Sequence, residues 1–277
     1  MAASQNQVEI QAFLPGLDWA FQLLNKKNIE KKDGTNQNWV LMFSWKRIVV
    51  IAVGLGAWHW VVSQEKNPFG KEPLPKAVIV DVAPGVKRVG AVTLDAHKKQ
   101  ISLPVAINMN EGPLEYLVVT GKGKTHESLL VTHAEPFHIK VAMLLLNCKG
   151  SDGRLIPEDD EKPIPGEQVK VELHWKEEDQ LKKSALERFV QRVDKKKVAE
   201  GPFVFNGSRV FQGTFLAQRD GSVVSLITDN AALFNNPRLG RDDDEIWRPQ
   251  AKGLPPLDSN GTLVIKILKK TKNENQN

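Results

Sequence analysis

Gln168-Val169-Lys170-Val171-Glu172-Leu173-His174-Trp175 alternates residue by residue, with Val169, Val171, Leu173 and Trp175 toward one side and Lys170, Glu172, His174 and Lys176 toward the other. Side chains of a strand point to opposite faces in turn, so this stretch reads as a half-buried β-strand with His174 on the solvent face. Strand-like runs continue upstream. Ala77 to Val82, Arg88 to Leu94, Gln100 to Asn108 and Leu114 to Thr120 are rich in β-branched residues and divided by Gly, Pro and Asn, the pattern of an antiparallel meander. Thr125 to Thr132 extends the series. Pro136 then opens a helix over Phe137 to Asn147, with Ile139, Ala142, Met143 and Leu146 on its apolar face and Gly150 just past its end. Downstream, Leu181, Ala185, Phe189 and Val193 recur every fourth residue and suggest a solvated surface helix. Phe203 to Phe205, Val210 to Ala217 and Ser222 to Thr228 follow, with Asp220-Gly221 as a hairpin turn, and Thr262 to Leu268 is the last strand. The fold class expected is α+β: a β-rich antiparallel sheet domain with two or three short helices, preceded by one N-terminal membrane segment. Between helix and central strand, Lys149 to Gly166 is acidic, contains prolines and exceeds a simple turn, so it is a mobile loop or a binding lip.

That membrane segment is Ile48 to Val62, 15 uncharged residues directly behind Lys46 and Arg47. As a helix it would rise ~22 Å, short of the ~30 Å hydrocarbon core and at the upper end for a secretory signal. Lys26, Lys27, Lys31, Lys32, Lys46 and Arg47 precede it and only Lys66, Lys71 and Lys76 follow nearby, which holds the N-terminus in the cytoplasm and exports the rest. Trp58, His59 and Trp60 resemble interfacial anchors and favour a retained signal anchor, while Val61 and Ser63 would suit a cut before Gln64. Translation from Met42 would give the layout of an export signal. If the first 41 residues are made, they form an unstructured tail, or Leu14, Leu17, Phe21 and Leu24 form an apolar stripe against the inner leaflet. The organisation expected is a cytoplasmic tail over 1–47, the apolar segment over 48–62, a proline-containing linker over 63–76, the β-rich domain over 77–270 and a disordered tail over 271–277.

From residue 63 to 265 the chain carries 28 Lys plus Arg and 28 Asp plus Glu, so the overall net charge of +5 sits in the tails. A nucleic-acid surface needs basic residues concentrated on a folded face, and nucleic acid is excluded as a partner. Cys148 is the sole cysteine. One cysteine makes no intrachain disulfide and excludes a cysteine-ligated iron–sulfur cluster within one chain; it reads as a small buried hydrophobe.

His126-Glu127 is the first pair to consider for chemistry, since imidazole and carboxylate can share a metal ion or a proton. On a strand, neighbours point to opposite faces, so the two would not enter one pocket without a bulge. His133 and His138 lie near in sequence. Weak metal candidates are therefore His126, Glu127 and His133, without the spacing of a zinc protease. Asn206 and Ser208, flanking Gly207, read as a turn that caps backbone, and with His126 and Glu127 they are the binding candidates. Asp242 to Glu245 lacks the alternation of a calcium loop, Gly121-x-Gly123-Lys124 lacks the rest of a phosphate loop, and Trp247 reads as a core lid. No catalytic residue and no cofactor is expected.

Several segments in order resemble the YdjY-domain family of bacterial, mostly exported proteins: Gly123 to Val131; Ile139 with Ala142 to Leu146 and Lys149-Gly150; Phe203 to Ser208; Asp220-Gly221 with Ser225-Leu226; Ala232-Leu233 leading to Asn236-Pro237; and Asp244, Trp247 and Gly261-Thr262. The resemblance covers roughly 75 to 270. It implies a shared β-rich fold more than a reaction; the location expected from the apolar segment is the bacterial inner membrane with the domain outside the cytoplasm, or the periplasm after signal cleavage. Some members are labelled ferredoxin-like, a role that a chain without ligating cysteines does not share. Lys140 stands where the family is expected to favour histidine. The function expected is a membrane-tethered, non-catalytic binding or envelope-associated domain whose partner is an envelope protein or small ligand; the alternative is a metal-binding or redox-associated accessory protein using His126 and Glu127.

Overall fold

The computed structural model describes residues 7–10, 73–194, 196 and 198–268. All of these belong to one compact unit, residues 1–12 with 72–277. The apolar segment Ile48 to Val62, most of the linker and the 271–277 tail lie outside the described residues. Among the described residues no helix is long and apolar enough to cross a membrane.

The strands are β1 (Gln7–Ile10), β2 (Ala77–Ala83), β3 (Val86–Val89), β4 (Val92–Asp95), β5 (Gln100–Ile107), β6 (Tyr116–Thr120), β7 (Ser128–Thr132), β8 (Glu167–Glu177) and β9 (Gln180–Ala185). They continue with β10 (Val190–Arg192), β11 (Phe203–Phe205), β12 (Val210–Phe211), β13 (Thr214–Phe215), β14 (Ser222–Ser225), β15 (Phe234–Asn235), β16 (Trp247–Pro249) and β17 (Asn260–Ile267). Among the described residues two α-helices, α1 (Pro136–Leu145) and α2 (Leu216–Asp220), complete the list.

Strand β8 holds the centre. Its alternating face pairs Leu173 with Leu263 and Val171 with Ile265 of β17, which in turn oppose Leu103 and Ile101 of β5. All six side chains are buried. From β8 the sheet runs through β11, β15, β14 and β6 to β7, and β7 pairs back onto β5 through Ala106↔Val131 and Ile107↔Leu130. Eight strands therefore close a barrel, which removes the free edges an open sheet would expose. Opposed pairs carry the apolar interior across this half: Phe205 with Phe234, Phe234 with Val224, Val224 with Val118, Val118 with Leu130. The wall is not wholly antiparallel, since β6–β7 and β14–β15 run parallel. β4 shares an edge of β5 with β7 and leads the β4–β3–β2–β1 extension away from the ring.

Helix α1 begins at Pro136 as expected and is buried on nearly every side, against β2 to β5 and α2. Gln218 of α2 holds its start, accepting from the Phe137 amide at 3.1 Å while donating to Glu135. Its end differs from expectation. Asn147 takes the left-handed position (φ 63°), with Asn147 N–H donating to Leu144 O and Cys148 N–H to Met143 O, a Schellman turn that leaves Gly150 outside the cap. His138 packs over Gly90, where a Cβ would stand 2.2 Å from its ring Nδ1, and its Nε2 is 2.9 Å from Lys76 O.

Three local expectations are corrected. The every-fourth pattern from Leu181 is strand β9, a 3-10 turn over Leu186–Phe189 and β10, because Glu178 and Asp179 at φ 48° and 62° fold β9 back on β8 as a hairpin. Leu181 and Val193 are consequently exposed. Asp220-Gly221 closes α2, with Gly221 as its left-handed cap, and the hairpin turn of that region is instead Gln212-Gly213 between β12 and β13. Arg88 to Leu94 is two strands, turned at Gly90-Ala91.

Candidate functional site

Thr125–Glu127 forms a 3-10 turn, and strand β7 starts only at Ser128. The turn changes the geometry of the first candidate pair: His126 Nε2 lies 3.8 Å from Glu127 Oε2, where a strand would have sent them to opposite faces. The imidazole side chain is 75% exposed and the carboxylate 23%. Lys124 Nζ stands 3.5 Å from the same Glu127 oxygen and also pairs with buried Glu115. Glu127 Oε2 accepts no hydrogen bond. His133 is exposed, and His138 is occupied beside Gly90 and Lys76. Among the described residues no three His, Cys, Asp or Glu side chains come together as a metal cluster.

Asn206 and Ser208 sit elsewhere, buried where β11 leaves the barrel wall. Asn206 donates through Nδ2 to Ala232 O (3.2 Å) and accepts through Oδ1 from Asn235 Nδ2 (2.8 Å), while its backbone carbonyl accepts from Ser151 N–H. Asn235, fully buried, also donates to Asp229 O and accepts from Asp229 N–H. Ser208 donates to Ala231 O at 2.6 Å and accepts from Ala217 N–H at 3.1 Å. Between them Gly207 adopts φ 80° and donates to Leu233 O. Each polar atom named is engaged in holding a neighbouring segment, as buried polar groups must be. A serine that is both donating and accepting to backbone, with no histidine beside it, has no base to activate it as a nucleophile.

Lys140 extends from α1 to the same junction. Its Nζ donates to Gly207 O at 2.8 Å and lies 5.5 Å from the Phe205 ring centroid. Glu167 accepts from the Lys149 and Gly150 amides at 3.0 and 2.7 Å. Burial lowers the Lys140 ammonium to about 8, against opposing effects of Cys148 and Glu167. Burial, with Glu167 beside it, pushes the Cys148 thiol well up, so this sulfur stays protonated and unreactive at neutral pH. A lysine that loses its proton at lower pH when folded leaves more protons on the unfolded chain between about 8 and the ordinary 10.5, so its contribution makes folding more favourable as pH rises through that window. The stability difference between wild type and Lys140→Met should therefore grow in favour of wild type from pH 8 to 10.5 in denaturant titrations. Parallel curves would contradict this.

Two arginines, Arg241 buried and Arg238 half-buried, carry no sequence signature. Arg241, fully buried, donates to Pro157 O, Asp159 O, Lys162 O and Thr228 Oγ1, and so fastens the acidic Lys149 to Gly166 loop to the barrel. Arg238 lies 4.7 Å from the Phe203 ring centroid and donates to Ala199 O, Gly201 O and Asn236 Oδ1. Burial lowers the pKa of both. Neither arginine stands in a periodic run, so only the folded loops reveal what they hold.

Several resembling segments thus meet in space: Ser151, just past Lys149-Gly150, donates to Asn206, and Asn206-Gly207-Ser208 bonds in turn to Ala231, Ala232, Leu233 and Asn235, while Asn236 bonds Ser225 and Leu226. No curated protein and no solved structure matches this chain. The sequence profile of the YdjY domain matches residues 92–266, more than half of the 277 residues, and takes in that whole junction. The chain belongs to the YdjY-domain family.

Proposed function

We propose that this protein is a membrane-tethered, extracytoplasmic domain that binds a partner or small ligand without catalysing a reaction. One observation supports the non-catalytic part most strongly: the polar side chains of the Asn206–Ser208 junction are engaged by backbone groups and by the Asn235 amide in holding neighbouring segments together. What supports the location is Ile48 to Val62 and the basic residues before it, while the pairing of Gln7–Ile10 with residues 77–80 in one sheet runs against a single crossing between them. Labelling tests it. Leu181 is 70% exposed on β9, whereas the only native thiol, Cys148, is 1% exposed, so Leu181→Cys adds a single reactive site to a silent background. A membrane-impermeant maleimide should label this variant of the full chain in intact spheroplasts. Labelling only after lysis would refute the location.

The second reading, a metal-binding or redox-associated accessory protein, is favoured by the approach of His126 Nε2 to Glu127 Oε2 on the 3-10 turn. Stoichiometric metal in the purified full chain, lost in His126→Ala, would establish it in place of the first.

A further inference from the structure

Val210 and Phe211 form β12, paired with Thr214 and Phe215 of β13 across the Gln212-Gly213 turn. Neighbours on a strand point to opposite sides, yet Val210 is 44% and Phe211 49% exposed, while Thr214 and Phe215 are buried. β12 therefore stands clear of the body on both faces, although its partner strand is packed down. The two turn residues take φ 49° and 78°, the left-handed pair of a tight hairpin that holds the tip in one shape. Arg209 completes the tip. Its guanidinium carbon lies 5.6 Å from the Phe211 ring centroid, and it has no carboxylate partner among the described residues.

Two contacts link this tip to the place where the chain enters the domain. Lys76 O meets His138 Nε2 at 2.9 Å, and Phe137, the preceding residue of α1, packs edge-to-face on Phe215 at 6.3 Å. Phe215 is the strand partner of Val210. Gln218 of α2, just behind the hairpin, fixes the same turn of α1 through the Phe137 amide. Ile10 pairs with Ala77, so residues 11–76 leave and rejoin the domain at this one corner. Val62, the end of the apolar segment, stands 15 positions before Ala77. An extended chain of that length spans at most about 50 Å. So short a tether keeps the corner near any bilayer that holds Ile48 to Val62, and Arg209, Val210 and Phe211 with it. An aromatic beside an aliphatic residue suits the boundary between headgroups and acyl chains, and an unpaired guanidinium suits the phosphates above it.

We propose that the β12–β13 hairpin is a membrane-surface contact, with Val210 and Phe211 entering the headgroup–acyl boundary and Arg209 meeting a lipid phosphate. This rests on the tether reading above, but only on Ile48 to Val62 entering a bilayer and not on which side the domain occupies. The full chain in vesicles of phosphatidylethanolamine and phosphatidylglycerol tests it. Cys148 is 1% exposed, so Val210→Cys and Leu181→Cys each offer a single thiol for an environment-sensitive nitrobenzoxadiazole label. Leu181, opposite Lys176, lies at the other end of β8 from the Glu167 pairing with β11, roughly 30 Å along the strand. Quenching by doxyl-labelled lipids should be severalfold stronger at position 210 than at 181. Phe211→Asp should bring it down to the level at 181. Arg209→Glu leaves both apolar residues in place, should also lower it, and serves even if Phe211→Asp disturbs the hairpin. Equal quenching at 210 and 181, no change in either variant, or a label at 210 shielded from water but not reached by doxyl lipids, as in a protein contact, would overturn the proposal. Flotation of the same vesicles separates the two readings: protein that floats without quenching at 210 refutes the hairpin contact alone, and protein that does not float refutes the tether and the contact with it.

Discussion

Replacing Arg241 by alanine is expected to remove about 3–5 kcal/mol of stability, among the largest effects of any single substitution in this chain. The guanidinium is fully buried and three of its four acceptors are backbone carbonyls of one loop, at Pro157, Asp159 and Lys162. Alanine leaves those carbonyls and the Thr228 hydroxyl without their donor and opens a void that the loop can only partly fill. The loss should appear as a lower denaturation midpoint and as earlier proteolytic cutting between Lys149 and Gly166, the segment the arginine fastens down. Arg241→Lys keeps the charge but not the planar fork of donors, so it should fall between. A loss below about 1 kcal/mol would mean that water substitutes for the guanidinium and that the loop is held by other groups.

Gly166→Ala is the second large effect, and its origin is steric. Gly166 has φ 145°, and a Cβ there would stand 2.2 Å from Phe205 O and 2.9 Å from Val204 Cγ1. The obstacle is backbone, so the chain must shift. The shift would part β8 from β11 at the Glu167–Phe205 pair and move the Glu167 carboxylate away from the Lys149 and Gly150 amides. A cost of roughly 3 kcal/mol or more is expected by denaturation. Gly153→Ala supplies the comparison: at φ 78° with nothing within 4 Å of its Cβ, it meets only the left-handed backbone penalty. That penalty is about 1–2 kcal/mol. Equal losses in the two variants would show that the close approach at Gly166 is not what demands glycine.

Strands with one buried face were readable from residue types alone. Gln100–Ile107 and the centre of Glu167–Glu177 bury alternate residues, and that period survives any tertiary arrangement. Helix α1 was readable from Pro136 and its apolar run, although Asn147 rather than glycine ends it. The surface helix expected from Leu181 failed because a spacing of four is also an even number, hence one face of a strand, and the Glu178-Asp179 turn chose the strand. Barrel closure was not readable. It depends on Ala106 and Ile107 meeting Val131 and Leu130, and nothing local to either segment names the other. The same limit hid Arg241, whose role comes from a loop far away in sequence. His126 and Glu127 were identified as a pair, but their approach came from a turn where strand was expected.

The ring of eight strands underlies the hydrogen-bonded junction, because closure through β5 and β7 makes the shared segments parts of one wall. NMR on the deuterated full chain tests closure directly through cross-strand nuclear Overhauser effects between the backbone protons of Ile107 and Leu130 and of Ala106 and Val131. Both pairs should give them, with amides of β5 and β7 protected from exchange. Absence of both, with freely exchanging amides along that seam, would show an open sheet and contradict the structure proposed for this protein.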